Sequence, residues 1–236
     1  MSESRPSPGS GDGVVVLSLP FEGRWLAMNS PARRVPSHGT DLLGSRYAID
    51  FVGVDDRRRT ATHRDWGSYF GTEPVERFFA FGQPILAPAD GRVVQVHDGE
   101  VDHVARRSQL SLVHYALRQA GRLRQGVAAI AGNYVTIALP GNDTFVSLVH
   151  LRAGSPQVAV GDVVTTGQPI AECGNSGNST QPHVHLQVMD NLDLSVARGI
   201  PLAFRHFREW TGRSERSRVE ESGIPGENSV VEALKP

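Results

Sequence analysis

Lysine is almost missing from this chain. Lys235 is the only one, and the other basic residues are arginine. That excludes a biotinyl or lipoyl carrier barrel, which needs a modifiable lysine at a hairpin tip. Cysteine is equally scarce. The lone Cys173 cannot form an internal disulfide, fits a reducing compartment, and reads as a buried strand residue. No run of about eighteen apolar residues occurs, so no membrane span is expected. The apolar run Val14-Val15-Val16-Leu17 is too short for the core of a signal peptide and follows no cationic region. On that reading the chain is cytoplasmic. Net charge is nearly absent too, at −1 from 24 Lys+Arg and 25 Asp+Glu. A nucleic-acid-binding domain usually carries a basic excess, so no nucleic-acid partner is expected.

What is present suits one domain with additions: 236 residues, 39% of them hydrophobic. Residues 1–13 are rich in Ser, Pro and Gly and read as disordered. Short β-rich runs follow at 48–54, 91–97, 133–139, 144–151, 162–165, 169–173 and 183–189, punctuated by Gly, Pro, Asn and Asp. This predicts a mainly β fold, an antiparallel sheet or barrel-like sandwich with a groove, over residues 14–204. Between 103 and 124, Leu110, Val113, Leu117 and Ala120 recur at helical spacing, which predicts one inserted amphipathic helix. Residues 55–77 read as a long charged loop, and residues 205–236 as a short C-terminal helix and a polar tail. Two glycine-turn elements echo each other: Phe81-Gly82-Gln83-Pro84-Ile85-Leu86-Ala87-Pro88 and Val164-Thr165-Thr166-Gly167-Gln168-Pro169-Ile170-Ala171.

The chemistry gathers late in the chain, at Pro182-His183-Val184-His185-Leu186-Gln187-Val188. Residues i and i+2 of a strand share a face, so His183 and His185 project together. Imidazole is both the commonest protein ligand for zinc and a proton acceptor near neutral pH. Earlier segments complete an ordered set: Tyr47-Ala48-Ile49-Asp50-Phe51, Gly82 to Val94, Gly132-Asn133-Tyr134-Val135-Thr136-Ile137, Val149-His150-Leu151 and Val160-Gly161-Asp162-Val163-Val164. A serine triad on Ser176 is discounted, because Gly174-Asn175-Ser176-Gly177 lacks the nucleophile-elbow glycines. A sugar-transport phosphocarrier shares the glycine turns but does not require Asp50 or His150.

The ordered set resembles the lysostaphin-type zinc metallopeptidases, a family of bacterial peptidoglycan endopeptidases, over roughly residues 48–188. The resemblance implies a β-sheet groove, a zinc ion and a peptide substrate such as a peptidoglycan cross-link. It also implies a cell-envelope or secreted location, against the cytoplasmic reading. It assigns Asp50 and His185 to the metal, and His150 and His183 to proton handling and transition-state charge. Asn133 and Tyr134 follow a turn and are candidates for substrate contact, with Asn133 better suited to shaping that turn.

One position departs from the family. Four residues before Asp50, where the family places its first zinc-binding histidine, this chain has Arg46. A guanidinium has no lone pair to give, and catalytic zinc usually takes three protein ligands plus water. Three readings stay open. His38, in the turn-rich Pro36-Ser37-His38-Gly39-Thr40-Asp41, replaces the missing ligand. Arg46 instead pairs with Asp50, and the chain is a degenerate, non-catalytic binding or regulatory module. Or two ligands bind the metal weakly and substrate completes it.

Overall fold

A computed structural model describes residues 13–63, 71–106, 127–141, 143–212 and 216–234. The expected insert at 103–124 falls mainly outside these residues, as does nearly all of 1–13. Among the described residues there are thirteen strands: β1 (Val15–Leu17), β2 (Arg24–Met28), β3 (Ile49–Gly53), β4 (Pro84–Leu86), β5 (Gly91–His97), β6 (Asn133–Ala138), β7 (Phe145–Leu151), β8 (Val163–Val164), β9 (Pro169–Glu172), β10 (Val184–Met189), β11 (Leu202–Trp210), β12 (Arg218–Gly223) and β13 (Val230–Ala233). Eleven form one sheet along the order β1-β11-β13-β2-β3-β10-β7-β6-β5-β8, with β12 on the other side of β11. All of its pairings are antiparallel except β1 with β11. The two echoing glycine-turn elements meet as the separate antiparallel pair β4–β9.

The period of two sorts the central strands. Phe51, Leu148, Leu186 and Val188 are buried in the main hydrophobic cluster, while the residues between them face a groove. Aromatic rings thicken the core: Phe21 stacks on Trp25 at 4.6 Å, and Phe51 meets Phe21 at 4.9 Å and Phe204 at 5.5 Å. Cys173 is fully buried in the same cluster. Strand and core therefore share residues. A polar substitution at Leu186 would break the sheet's packing at the very strand that carries the paired histidines.

The C-terminal segment corrects the expected helix. Residues 202–210 form a nine-residue strand, and β12 and β13 pair with it. Phe204 and Phe207 are three apart, which imitates helical spacing. Instead His206 takes a left-handed φ of 49°, interrupting the alternation so that both rings reach the core. The segment is no tail either. β13 bridges β11 to β2, and β2 pairs directly with β3, the strand of Asp50.

Candidate metal centre

Adjacent strands present the central side chains in register. In the sheet, Asp50 of β3 lies directly opposite His185 of β10, and His185 lies opposite Val149 of β7. Residues directly opposite in an antiparallel pair share a face, so Asp50 and His185 share the groove side. His185 Nδ1 lies 2.9 Å from Asp50 Oδ1. His183, two residues earlier, brings its Nε2 to 3.7 Å from the same oxygen.

His150 follows Val149 and would by alternation face the core. It does not, because it is the extra residue of a β-bulge. Tyr134 pairs with Val149 while Asn133 pairs with Leu151, leaving His150 unopposed. Its φ is +64°, a left-handed conformation that costs a non-glycine residue on the order of 1–3 kcal/mol. Bulges re-aim side chains in this way. The ring ends 4.8 Å from that of His183 and 6.0 Å from that of His185.

His38 arrives from outside the sheet. Ser37 N donates to Arg46 O at 3.0 Å, closing the base of the loop. The loop then lays His38 Nε2 3.1 Å from Asp50 Oδ2, with its ring 4.8 Å from that of His185. Asn29 Nδ2 donates to the same carboxylate oxygen at 2.7 Å. Arg46 turns away. Its Nη1 donates to both oxygens of Asp41, at 2.7 and 2.8 Å, and its guanidinium lies over the Tyr47 ring at 5.7 Å. The carboxylate that pairs with Arg46 is thus Asp41, not Asp50.

One ligand atom from each of His38, Asp50 and His185 lies within 4.8 Å of the others. Two ligands bound at zinc distances to a tetrahedral ion stand roughly 3.3 Å apart. The 3.1 and 2.9 Å separations from the carboxylate therefore fit a shared ion, and the donor set of two imidazoles and a carboxylate suits zinc.

Charge is distributed to match. Burial by itself would raise the Asp50 carboxyl, but His183, His185 and His38 outweigh it and hold the group well below the usual carboxylate range. Burial lowers His185, yet the hydrogen bond and charge of Asp50 reverse that and leave it raised. His150 is pushed well below the ordinary imidazole value by burial and by the charges of His183 and His185. His183 is lowered, chiefly by burial. Hydrogen bonds set the tautomers of these last two rings. His150 Nδ1 faces Ser176 O at 3.0 Å, and His183 Nδ1 faces Gln181 O at 2.8 Å. A carbonyl only accepts, so Nδ1 carries the proton and Nε2 the lone pair.

These residues line a groove of about 580 Å³ that also includes Tyr134, Thr136, Ser147, Gln187 and Met189. Asn133 does not reach it. Its side chain is buried and committed to Glu100 N, Glu100 O and Leu151 O, so it braces the bulge rather than meeting substrate. Asn29 and Gln187 carried no signal in the sequence, because each earns its place only through a partner distant along the chain.

With that geometry in view, comparison with known proteins identifies the relationship. The family model for peptidase family M23 matches residues 75–195, just over half of the chain. The chain belongs to peptidase family M23. The catalytic domain of the antimicrobial peptidase lysostaphin from Staphylococcus simulans is 19% identical, covering 68% of this chain and 86% of that domain, with a TM-score of 0.36. A variant of the catalytic domain of the prophage-encoded M23 protein EnpA from Enterococcus faecalis is 18% identical, covering 83% of this chain and 92% of its own, with a TM-score of 0.37. At these identities and scores the assignment rests on the family match. The M23 match includes His150, His183 and His185 and begins after both His38 and Asp50.

Proposed function

We propose that this M23 chain is a zinc-dependent endopeptidase whose ion is held by His38, Asp50 and His185. The observation that carries the reading is His38 Nε2 at 3.1 Å from Asp50 Oδ2. It restores a third donor where Arg46 removed one. When bound there, zinc supplies Lewis-acid polarisation of a peptide carbonyl and an acidified water.

The chain's own residues supply the proton chemistry. His150 and His183 stay neutral at physiological pH, since their burial disfavours the charged form. Each keeps Nε2 as a lone-pair nitrogen, so each can take a proton from water and return it to the leaving amine. Asn29 restrains the carboxylate by its hydrogen bond to Oδ2. The groove receives the peptide. Two residues along from the Asp50–His185–Val149–Tyr134 row, Ser147 and Thr136 line the groove on β7 and β6. These polar groups suit an extended backbone with small side chains, and a cell-wall cross-link peptide meets that description. Among the described residues, no helix is long and apolar enough to cross a membrane.

The test is metal analysis of the untagged full chain, combined with digestion of purified wall peptides and mass spectrometry of new amine termini. The expected result is near one zinc per chain and cleavage, with both lost in Asp50→Ala. A chain that takes up no zinc from a supplied excess overturns the reading.

A further inference from the structure

The groove side of β10 carries a polar residue, Gln187, that neither holds the metal nor serves the proton chemistry. Gln187 follows His185 by two positions and shares its face. Its Oε1 lies 3.1 Å from His185 Nε2, and its Nε2 donates to Leu43 O at 2.8 Å. The two ends of a carboxamide are not interchangeable. Leu43 O is a carbonyl and can only accept, so the amide nitrogen must face it. The amide oxygen therefore faces His185 Nε2, which must carry a hydrogen. That makes Nδ1, 2.9 Å from Asp50 Oδ1, the nitrogen whose lone pair a metal can take when the ring is neutral.

The carbonyl that starts this chain of constraints is itself held in an unusual way. Leu43 adopts φ 59°, ψ 25°, and Gly44 follows at φ 75°. Two successive left-handed residues turn the backbone sharply between Leu42 and Tyr47. A Cβ added to Gly44 would lie 3.1 Å from Met189 Cβ and 3.3 Å from Gln187 Nε2, tight contacts on top of a left-handed φ that favours glycine. The same segment serves His38. Ser37 Oγ donates to Ser45 O at 3.4 Å and lies 3.0 Å from His38 Nδ1. A hydroxyl whose hydrogen is directed at a carbonyl accepts from Nδ1, which makes Nε2, the nitrogen beside Asp50, the one that can bind a metal.

We propose that Gln187 is a positioning residue that selects the tautomer of His185, so that zinc meets Nδ1 of His185, with Leu43 O fixing the amide and Ser37 performing the matching task for His38. The proposal rests on the zinc-site reading above. Metal-ligating histidines commonly give their other ring N–H to such a partner, and loss of that partner weakens binding about 10–100-fold.

The test uses the full chain and reads zinc rather than turnover. Zinc affinity is measured by chelator competition for the parent, Gln187→Met and Gln187→Glu, alongside the melting temperature of each metal-free form. Gln187→Met, which keeps the volume and loses both hydrogen bonds, is expected to bind zinc about 10–100-fold more weakly. Gln187→Glu keeps an acceptor for Nε2–H and is expected to bind no more weakly than the parent. Equal affinity in all three overturns the proposal. Nitrogen-15 spectroscopy of the zinc-loaded parent settles the matter even if a variant fails to fold. A proton on His185 Nε2 with the metal on Nδ1 is expected, and the reverse assignment overturns the inference while leaving the zinc reading intact. A parent that binds no zinc overturns both.

Discussion

Replacing His38 by alanine separates a relocated ligand from a surface histidine. His38 is one of three residues whose ligand atoms gather at one point, with its Nε2 3.1 Å from Asp50 Oδ2. Four-ligand zinc sites bind with roughly 10–16 kcal/mol, or about 2.5–4 kcal/mol per ligand. At about 1.4 kcal/mol per decade, loss of one ligand weakens binding roughly a hundred- to a thousand-fold. The control is Arg46→Ala. Arg46 pairs with Asp41 across an exposed contact, with side chains 42% and 58% accessible, and such pairs contribute about 0–1 kcal/mol. Zinc affinity should therefore be unchanged in Arg46→Ala and severely reduced in His38→Ala. The assay is competition against a chromophoric chelator at fixed pH, with far-ultraviolet circular dichroism to verify folding. A His38→Ala protein that folds and binds zinc like the parent refutes the reasoning.

Three other outcomes follow from the structure. His150→Ala should lower kcat about 10²–10⁴-fold, the usual span for a lost acid or base, while zinc content stays at the parent level; unchanged kcat would remove His150 from the chemistry. Gly132→Ala should destabilise the fold by about 1–3 kcal/mol in denaturant titration, because its Cβ would come within 2.6 Å of the Ser176 carbonyl carbon at a φ of +64°, disturbing the residue that holds His150; parent-like stability would contradict this. The third concerns pH. Burial raises the Glu209 carboxyl, but Gly226 N–H, Ser229 and Arg218 outweigh it and hold the group below its ordinary value. The folded form thus binds this proton less readily than the unfolded chain, so its stabilisation is full above the unfolded pKa and drains away as pH falls through the folded one. The melting-temperature gap between parent and Glu209→Gln should narrow on acidification, and a pH-independent gap would count against the assignment.

The central sheet was legible because its signals are local. The runs expected at 48–54, 91–97, 133–139, 144–151 and 183–189 became β3, β5, β6, β7 and β10, where alternation and turn residues agree. β11 was misread because a left-handed residue, His206, disguises a strand as helical spacing. β1 and β2 were not anticipated, since three- and five-residue strands take their stability from partners rather than from their own pattern. For Asn133 the sequence favours a turn-shaping role over substrate contact, and its side chain is bonded to the backbone of Glu100 and Leu151.

The sequence by itself determined which groups could do chemistry: an Asp50 strand, a His183–His185 strand, and an arginine where a metal ligand was expected. Those facts reside in residue identity and in a period of two. Only the tertiary structure decided where His150 and His38 stand. One depends on an unopposed residue in the β6–β7 ladder. The other depends on a loop closed by Ser37 N and Arg46 O. Both are contacts between separated segments, and no local pattern in the chain encodes the angle at which a bulge turns or a loop returns.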